Sequence, residues 1–273
     1  MSTDDPLLAP EQPDLVWFEG QDTIRFLNDL ISQEIAELEP GEVRRSLLLG
    51  PQGKLGHILW VLRGEDEVGL ATEPGRGEDL VQTLSRYRIR VDVEVSLEES
   101  DRWIVVGNRR VEPGSWERTG SGVIADISWT NIERELHTGQ RPDLGQMPVD
   151  AYETHRILAG EPRWGVDVND STIPHESGLV PETVDFTKGC FLGQELVARI
   201  DSRGGNVPRQ LRLLELAESG TTVGATVMID GDDVGNITSV AGSVALASLK
   251  RGVDPGHEVM VDGNPATVRA TRS

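Results

Sequence analysis

The segment Lys-Gly-Cys-Phe-Leu-Gly-Gln-Glu at residues 188–195 holds the only cysteine of the chain. A thiol becomes reactive when its thiolate is favoured, and both a nearby cation and a helix N-terminus favour it. Lys188 lies two residues before Cys190, and the sequence predicts a helix that begins near Gln194. The segment therefore predicts a reactive thiol. The competing interpretation is a small buried cysteine that packs beside Phe191.

Glu176 lies in Pro-His-Glu-Ser-Gly, inside a long irregular stretch of the sequence. Long irregular segments in compact domains are often functional. A carboxylate here can accept two parallel hydrogen bonds from a ring that presents an N–H beside an amino group, as pterins and guanines do. The alternative is a solvated loop carboxylate. His155 and His175 are the candidates for the histidine that a Cys–His hydrolase needs, and no spacing rule selects either.

Arg86, Arg88 and Arg90 alternate around Tyr87, where a predicted helix runs into a strand. One interpretation is a solvated helix end. The other is a clamp for an anion, such as a polyglutamate tail.

Composition limits the classes of function. The formal net charge is −20, which disfavours binding to the phosphate backbone of a nucleic acid. A single cysteine excludes an intrachain disulfide and a zinc or iron–sulfur site built from the cysteines of one chain. The first residues lack the pattern of a secretory signal, and no apolar run is long enough to span a bilayer. We expect a cytoplasmic protein, monomeric or weakly oligomeric, with no resident metal and no membrane or nucleic-acid partner.

The pattern of apolar and turn residues divides the chain into zones at 1–100, 101–205 and 206–273. In the first, the sequence predicts a loose tail over residues 1–13. The other elements predicted in this zone are a helix capped by Asp22, a hairpin of Val43–Leu49 and Leu55–Leu62 around Gly50–Gly53, a helix over Glu78–Tyr87 and an alternating strand over Val91–Leu97.

The second zone contains predicted strands at Trp103–Val106 and Val123–Ile127, and a helix capped by Asp150 that ends at Leu158. Its irregular stretch precedes a helix over Gln194–Ile200. The third zone is rich in short strands, which predicts a small β-barrel. Its predicted strands are Leu211–Leu216, Thr226–Ile229, Val234–Val240, Ser243–Leu249, Glu258–Val261 and Ala266–Ala270.

The segment at 188–195 resembles the signature of the YgfZ family of folate-binding proteins. These proteins are related to the glycine-cleavage T-protein (aminomethyltransferase) and to folate-dependent demethylases. The resemblance covers nearly the whole chain. It is carried further by Phe18–Asp22 with Phe26-Leu27, Leu48–Lys54, Leu84–Arg90, Arg156–Gly160, Trp164–Asp167 and Pro174–Leu179.

The resemblance implies an α+β, three-domain, cloverleaf-like aminomethyltransferase fold whose central hole binds tetrahydrofolate or another reduced folate. Residues 1–100 and 101–205 would form the two folate-binding subdomains, and 206–273 the barrel. Glu176 would read the pterin edge, and Cys190 with Lys188 would be the chemically active residues. The remaining folate contacts would be Arg86, Tyr87, Trp164, Gly189, Phe191, Gly193 and Gln194.

The resemblance also implies a function. YgfZ proteins support the assembly or repair of iron–sulfur proteins, including enzymes that modify tRNA, so a folate-binding accessory protein is the first hypothesis and iron–sulfur proteins are its expected partners. A folate-dependent aminomethyl or methyl transferase or demethylase is the alternative, and a vestigial pocket is a third.

The similarity to the T-protein breaks at one point. There, the strand similar to Trp103–Asn108 leads to a catalytic aspartate. Here the chain continues Arg109-Arg110-Val111-Glu112-Pro113 without an aspartate. Pro113 and the changed spacing make Glu112 a poor substitute, so the aminomethyltransferase reaction is not expected.

Overall fold

The structure is a computed structural model that describes residues 5–107 and 109–271. Asn108 and residues 1–4 of the predicted tail lie outside the described residues. Antiparallel strands dominate, and they form two open sheets and one closed barrel. By their contacts the described residues divide into two compact units. Unit 1 takes them from Met1–Trp129, Glu133–Met147 and Pro181–Gln194, and unit 2 from Thr130–Ile132, Pro148–Val180 and Glu195–Ser273.

Unit 1 contains both open sheets. The strand order is β3-β4-β5-β2-β6 in the first sheet and β1-β7-β10-β9-β8 in the second. The strands are β1 (Leu7–Leu8), β2 (Asp14–Glu19), β3 (Val43–Leu49), β4 (Leu55–Arg63), β5 (Glu67–Thr72), β6 (Glu94–Leu97), β7 (Arg102–Val106), β8 (Trp116–Thr119), β9 (Gly122–Asp126) and β10 (Arg134–Thr138).

Helices α1 (Thr23–Asn28) and α2 (Gly77–Ser85) belong to unit 1, and their apolar residues join a core with the first sheet. Phe18, Leu27, Ile31 and Leu80 are fully buried in this core. Their burial removes a large apolar area from water, which is the main force that holds helices to a sheet.

Unit 2 is built around the barrel, which closes in the order β11-β14-β13-β12-β15-β16. The barrel strands are β11 (Arg209–Leu216), β12 (Thr226–Ile229), β13 (Asp232–Ala241), β14 (Val244–Lys250), β15 (Glu258–Val261) and β16 (Asn264–Arg269). Helix α3 (Val149–Leu158) packs Ile157 against Leu211, Leu213 and Leu246 of the barrel. A 3₁₀ helix over Pro174–Ser177 contacts β11. The predicted barrel is confirmed.

Two further helices follow the 3₁₀ helix in the chain: α4 (Val180–Thr183) and α5 (Gln194–Asp201). No α-helix of the described part of the chain is long and apolar enough to cross a membrane.

Several sequence predictions need correction. The tail is not loose throughout, because Leu7 and Leu8 pair with Val106 and Val105 of β7. The strand predicted from Val91 begins only at Glu94. The residues before Glu94 bind the loop that precedes α1, since Asp92 donates its N–H to the Asp22 carboxylate at 2.9 Å.

The structure also differs from the prediction at both helix caps. Asp22 stands before α1, but its side chain makes no capping hydrogen bond because it accepts the Asp92 N–H instead. In α3 the capping position is Pro148, and Asp150 lies in the first turn. There its charge interacts favourably with the helix dipole without capping the helix.

Candidate functional site

The thiol of Cys190 is exposed. The segment that carries it begins with a tight polar turn in unit 1. The Asp185 N–H donates to the Ser32 carbonyl at 3.0 Å. The Asp185 carboxylate accepts hydrogen bonds from the Thr187 hydroxyl at 2.6 Å and the Thr187 N–H at 2.7 Å. These hydrogen bonds lower the pKa of Asp185. The turn therefore fixes the direction of the backbone just before Lys188.

Lys188 ties this segment to the end of α1. Its Nζ donates to the carbonyl oxygens of Gln33 at 2.7 Å, Asn28 at 2.8 Å and Ile31 at 2.9 Å. The Asn28 side-chain oxygen is 3.2 Å away. Burial lowers the pKa of Lys188 to about 8, while nearby carboxylates raise it. At pH 7 the amine is therefore still an ammonium that donates to these oxygens. A role of Lys188 in the chemistry of the thiol stays a prediction.

Phe191 and Gly193 hold the segment in place on the C-terminal side of the thiol. Phe191 is buried, and its ring centroid lies 5.6 Å from the Lys188 Nζ. Gly193 has a φ of +76° and passes close to the hairpin turn between β3 and β4. A Cβ at Gly193 would lie 2.6 Å from the Gly50 carbonyl oxygen. Only glycine satisfies both the left-handed backbone and this close approach.

Gly189 differs from Gly193. A Cβ added to it would meet no atom within 4 Å. Gln194 is half-buried and opens α5. The structure thus brings Lys188, Cys190, Phe191 and Gly193 together in unit 1, with the thiol at the exposed point of a segment held on both sides.

Glu176 belongs to unit 2, in the 3₁₀ helix. Its Oε2 accepts the N–H of Ile173 at 2.9 Å, and its own N–H donates to the Ile173 carbonyl at 2.8 Å. The bond to Oε2 is the half of a capping box that the carboxylate makes, and it sets the direction of the carboxylate. Among the described residues Oε1 has no hydrogen-bond partner. An oriented carboxylate with a free oxygen fits a ring that offers N–H donors.

His175 precedes Glu176, and its side chain is 7% exposed. Neither ring nitrogen has a hydrogen-bond partner among the described residues. Nε2 lies 3.9 Å from the Asp201 carboxylate. Burial lowers the pKa of His175, and Asp201 partly offsets that effect. The histidine is therefore neutral at pH 7.

The other predicted folate contacts lie in both units. Arg86 and Tyr87 follow α2 in unit 1, where Arg86 is exposed and Tyr87 packs partly against the core. Trp164 is half-buried in unit 2, where it forms a bridge with Val168. The roles of these residues in folate binding stay predictions.

The residues that receive these groups were not predicted from the sequence. Asn28 is the last residue of α1 and Ser32 follows that helix, yet both contact the segment near Cys190 from about 150 positions away. The Ser32 hydroxyl donates to the Thr183 carbonyl at 2.6 Å. A polar residue just after a short helix is common, so the sequence contains no signal for this role.

Unit 2 has a buried ion network that was also missed. Arg156 is 3% exposed and donates to Asp167 at 2.9 Å, to Glu153 at 2.9 Å and to the Ser239 hydroxyl at 2.8 Å. Asp167 also accepts a hydrogen bond from Ser239 at 2.8 Å. The network joins α3, the 161–168 loop and β13. Two motifs of the family resemblance, Arg156–Gly160 and Trp164–Asp167, thus contribute to one structural cluster.

Among the residues that the structure describes between β7 and β8, no carboxylate is buried. Glu112 is exposed. Two buried carboxylates contact this segment, and both are hydrogen-bonded. Asp126 of β9 accepts the N–H of Gly114 at 2.6 Å. Glu135 of β10 accepts the N–H of Arg110 at 2.5 Å and the N–H of Val111 at 2.8 Å, and it lies 3.0 Å from a ring nitrogen of His137. These hydrogen bonds lower the pKa of Glu135 against the opposing effect of burial. Glu135 is therefore an ionised structural group.

Known proteins are similar to this chain in sequence and in fold. The human mitochondrial iron–sulfur cluster assembly factor IBA57 is 31% identical over 260 residues, which cover 84% of this chain and 73% of that protein. The chain belongs to the IBA57 family. The aminomethyltransferase of Rubrobacter xylanophilus is 23% identical over 93% of this chain and 78% of its own length. No family model matches the chain.

The fold of this IBA57 relative is that of an aminomethyltransferase. The crystal structure of the glycine cleavage system aminomethyltransferase T from Bartonella henselae superposes with a TM-score of 0.87. The match covers 97% of this chain and 85% of that one, at 17% identity. The predicted fold class, with its C-terminal barrel, is confirmed. The domain boundaries at 100 and 205 stay a prediction.

Proposed function

We propose that this chain is an iron–sulfur cluster assembly factor in which Cys190 is the working thiol. The observation that carries the proposal is the exposed thiol on a segment fixed by Lys188 and Gly193. A buried cysteine would have supported a packing role only. Membership of the IBA57 family supports the cellular role, because the human relative is an iron–sulfur cluster assembly factor.

The proposal includes a reduced folate, tetrahydrofolate or a derivative, as cofactor. Glu176 would hold the pterin edge through its free oxygen, with its direction set by the Ile173 N–H. The folate would supply a one-carbon carrier, while this chain's residues bind and orient it. Within the family we assign this chain to the YgfZ type. Its expected partners include iron–sulfur enzymes that modify tRNA. The expected compartment is the cytoplasm.

Cys190 is tested in cells that lack the native chain. The measurement is the specific activity of their [4Fe–4S] enzymes after complementation at matched protein levels. We expect wild type to restore activity and Cys190→Ser to fail. Ser202→Ala, which alters an exposed hydroxyl after α5, is the control and should restore activity. Full restoration by Cys190→Ser would overturn the role of the thiol.

Folate binding is tested by calorimetric titration with tetrahydrofolate. Glu176→Gln removes the charge and one acceptor, so we expect the dissociation constant to rise at least about tenfold. The control is Glu195→Gln, whose carboxylate is 89% exposed. Equal affinity in wild type and Glu176→Gln would refute the pterin assignment without affecting the test of Cys190.

The fold supports a second candidate, a folate-dependent aminomethyl or methyl transferase or demethylase. It predicts turnover of a methyl or aminomethyl donor with tetrahydrofolate. A panel of amine and sulfonium donors tests it. Turnover that disappears in Glu176→Gln would favour the transferase, and failure across the panel would refute it.

A further inference from the structure

A cavity of about 310 Å³ lies on the second sheet of unit 1. None of its lining residues belongs to the segment at 188–195. Hydrogen-bond donors dominate its lining. They are Arg110, Arg141, His137, Ser121, Thr119 and Gln140. Asp143 is the one carboxylate among the lining residues. A volume near 300 Å³ is at the lower end of the range for small-molecule sites.

The two arginines of this cavity have no ion-pair partner among the described residues. This is unusual in a chain with 46 acidic and 26 basic residues, where their neighbour Arg109 pairs with Glu133 at 3.3 Å. The Arg141 guanidinium lies 5.4 Å from the ring centroid of Trp103. Stacking of this kind restricts a long side chain and reduces the entropy lost when it binds a ligand.

Backbone features of the sheet place these groups around one space. The turn between β8 and β9 lies against the end of β10. A Cβ at Gly139 would be 1.9 Å from the Ser121 carbonyl oxygen, and one at Gly122 would be 2.2 Å from the Thr138 carbonyl oxygen. Both glycines have φ between +80° and +160°, at +87° and +150°. The close approach brings Ser121 and the residues after β10 to the same rim.

One lining residue, His137, belongs to a fixed polar pair with Glu135 of the same strand. His137 is 6% exposed, and a ring nitrogen lies 3.0 Å from the Glu135 carboxylate. Glu135 in turn accepts the N–H of Arg110. The hydrogen bond to Glu135 orients the imidazole of His137. The hydrogen bond from the Arg110 N–H to the same carboxylate holds the backbone of Arg110 in place.

We infer that this cavity binds a small multivalent oxyanion, a phosphate or carboxylate compound, between Arg110 and Arg141. Guanidinium groups match the geometry of both kinds of oxyanion through paired hydrogen bonds. The net charge of −20 repels anions at long range. Binding therefore reports the local arrangement of donors and not a general attraction. Neither Glu176 nor any of the predicted folate contacts lines this cavity.

The test is calorimetric titration of the full chain with pyrophosphate and, separately, with citrate, in 50 mM NaCl. We expect wild type to bind at least one of them with a dissociation constant below about 1 mM. Tighter binding of pyrophosphate assigns phosphate compounds, and tighter binding of citrate assigns carboxylates. Arg110→Gln with Arg141→Gln should weaken binding at least tenfold. Both side chains are exposed, so the variant should fold, as circular dichroism can verify.

Arg109→Gln is the matched control, because it removes one neighbouring positive charge that does not line the cavity. Its affinity should equal that of wild type. A second readout locates the ligand: binding should change the fluorescence of Trp103, and Trp103→Phe should abolish that change. The inference is overturned if wild type binds neither anion at 10 mM, or if Arg109→Gln weakens binding as much as the double variant.

Discussion

At the scale of single residues, contacts with main-chain carbonyls explain the roles of Lys188 and Gly193 beside the thiol. The Lys188 Nζ donates to three carbonyls near the end of α1, and Gly193 leaves room for the carbonyl of Gly50. These contacts fix the segment without using the thiol. Cys190 is therefore exposed on a backbone that is held in place on both sides.

Gly193→Ala tests the close approach to the hairpin turn. The added Cβ would meet backbone atoms, which cannot move aside cheaply, and alanine is strained at a φ of +76°. We expect the free energy of unfolding to fall by about 2 kcal/mol, measured by urea denaturation. Gly189→Ala, where the Cβ meets no atom within 4 Å, should change it little. Equal losses in both variants would contradict the packing described here.

Lys188→Met tests the attachment of the segment to α1. Methionine keeps much of the apolar stem but donates no hydrogen bond, and each lost hydrogen bond is worth about 1 kcal/mol. We expect the backbone amides of residues 185–193 to exchange with solvent about tenfold faster, by hydrogen–deuterium exchange mass spectrometry. Lys250→Met changes an exposed lysine of the barrel and should leave that peptide unchanged. Unaltered exchange in Lys188→Met would show that the contacts do not hold the segment.

At the scale of elements, buried polar side chains join neighbouring pieces of secondary structure. In unit 2, Arg156 links α3 to the 161–168 loop and to β13. In unit 1, His57 of β4 lies beside Arg76 and Asp79 at the start of α2. Each cluster is satisfied only when its elements are in place, so its charge state is coupled to folding.

His57 gives unit 1 a pH dependence. Burial, and then the charge of Arg76, lowers the pKa of His57 to about 4, against 6.5 in the unfolded chain. The unfolded state therefore binds more protons between pH 6.5 and 4, and stability is lost as the pH falls through that window. Between pH 7.5 and 5 we expect a loss of about 2 kcal/mol from this group.

The measurement is urea denaturation at the two pH values for wild type and His57→Gln. Glutamine does not titrate in this range, so its loss of stability between pH 7.5 and 5 should be smaller by that amount. The comparison depends on the slope with pH and not on the absolute stability of the variant. Equal slopes would mean that His57 is not buried as a neutral ring.

At the scale of the whole molecule, the net charge of −20 opposes the compact state. Salt screens this repulsion, since the Debye length falls from about 30 Å at 0.01 M to about 8 Å at 0.15 M. We expect the midpoint of urea unfolding to rise when NaCl is raised from 0.01 to 0.15 M. Urea is used because guanidinium chloride is itself a salt. A lower midpoint would show that the exposed ion pairs outweigh the repulsion.

The sequence by itself determined the features that depend on local patterns. The six barrel strands, the hairpin of β3 and β4 and the helices α2, α3 and α5 were predicted to within a few residues, because alternation, turn residues and helical spacing are local properties. The motif at 188–195 identified the thiol, and the family resemblance gave the fold that the aminomethyltransferase structure confirms.

Only the tertiary structure decided which distant residues meet. Leu7 and Leu8 are too short a run to indicate a strand, and they become one because β7 offers a free edge. Asn28 and Lys188 are 160 positions apart, and Arg110 and Arg141 belong to different strand connections. Such contacts depend on how strands pair and loops cross. A single sequence specifies that only through the whole fold, since no local pattern encodes a partner far along the chain.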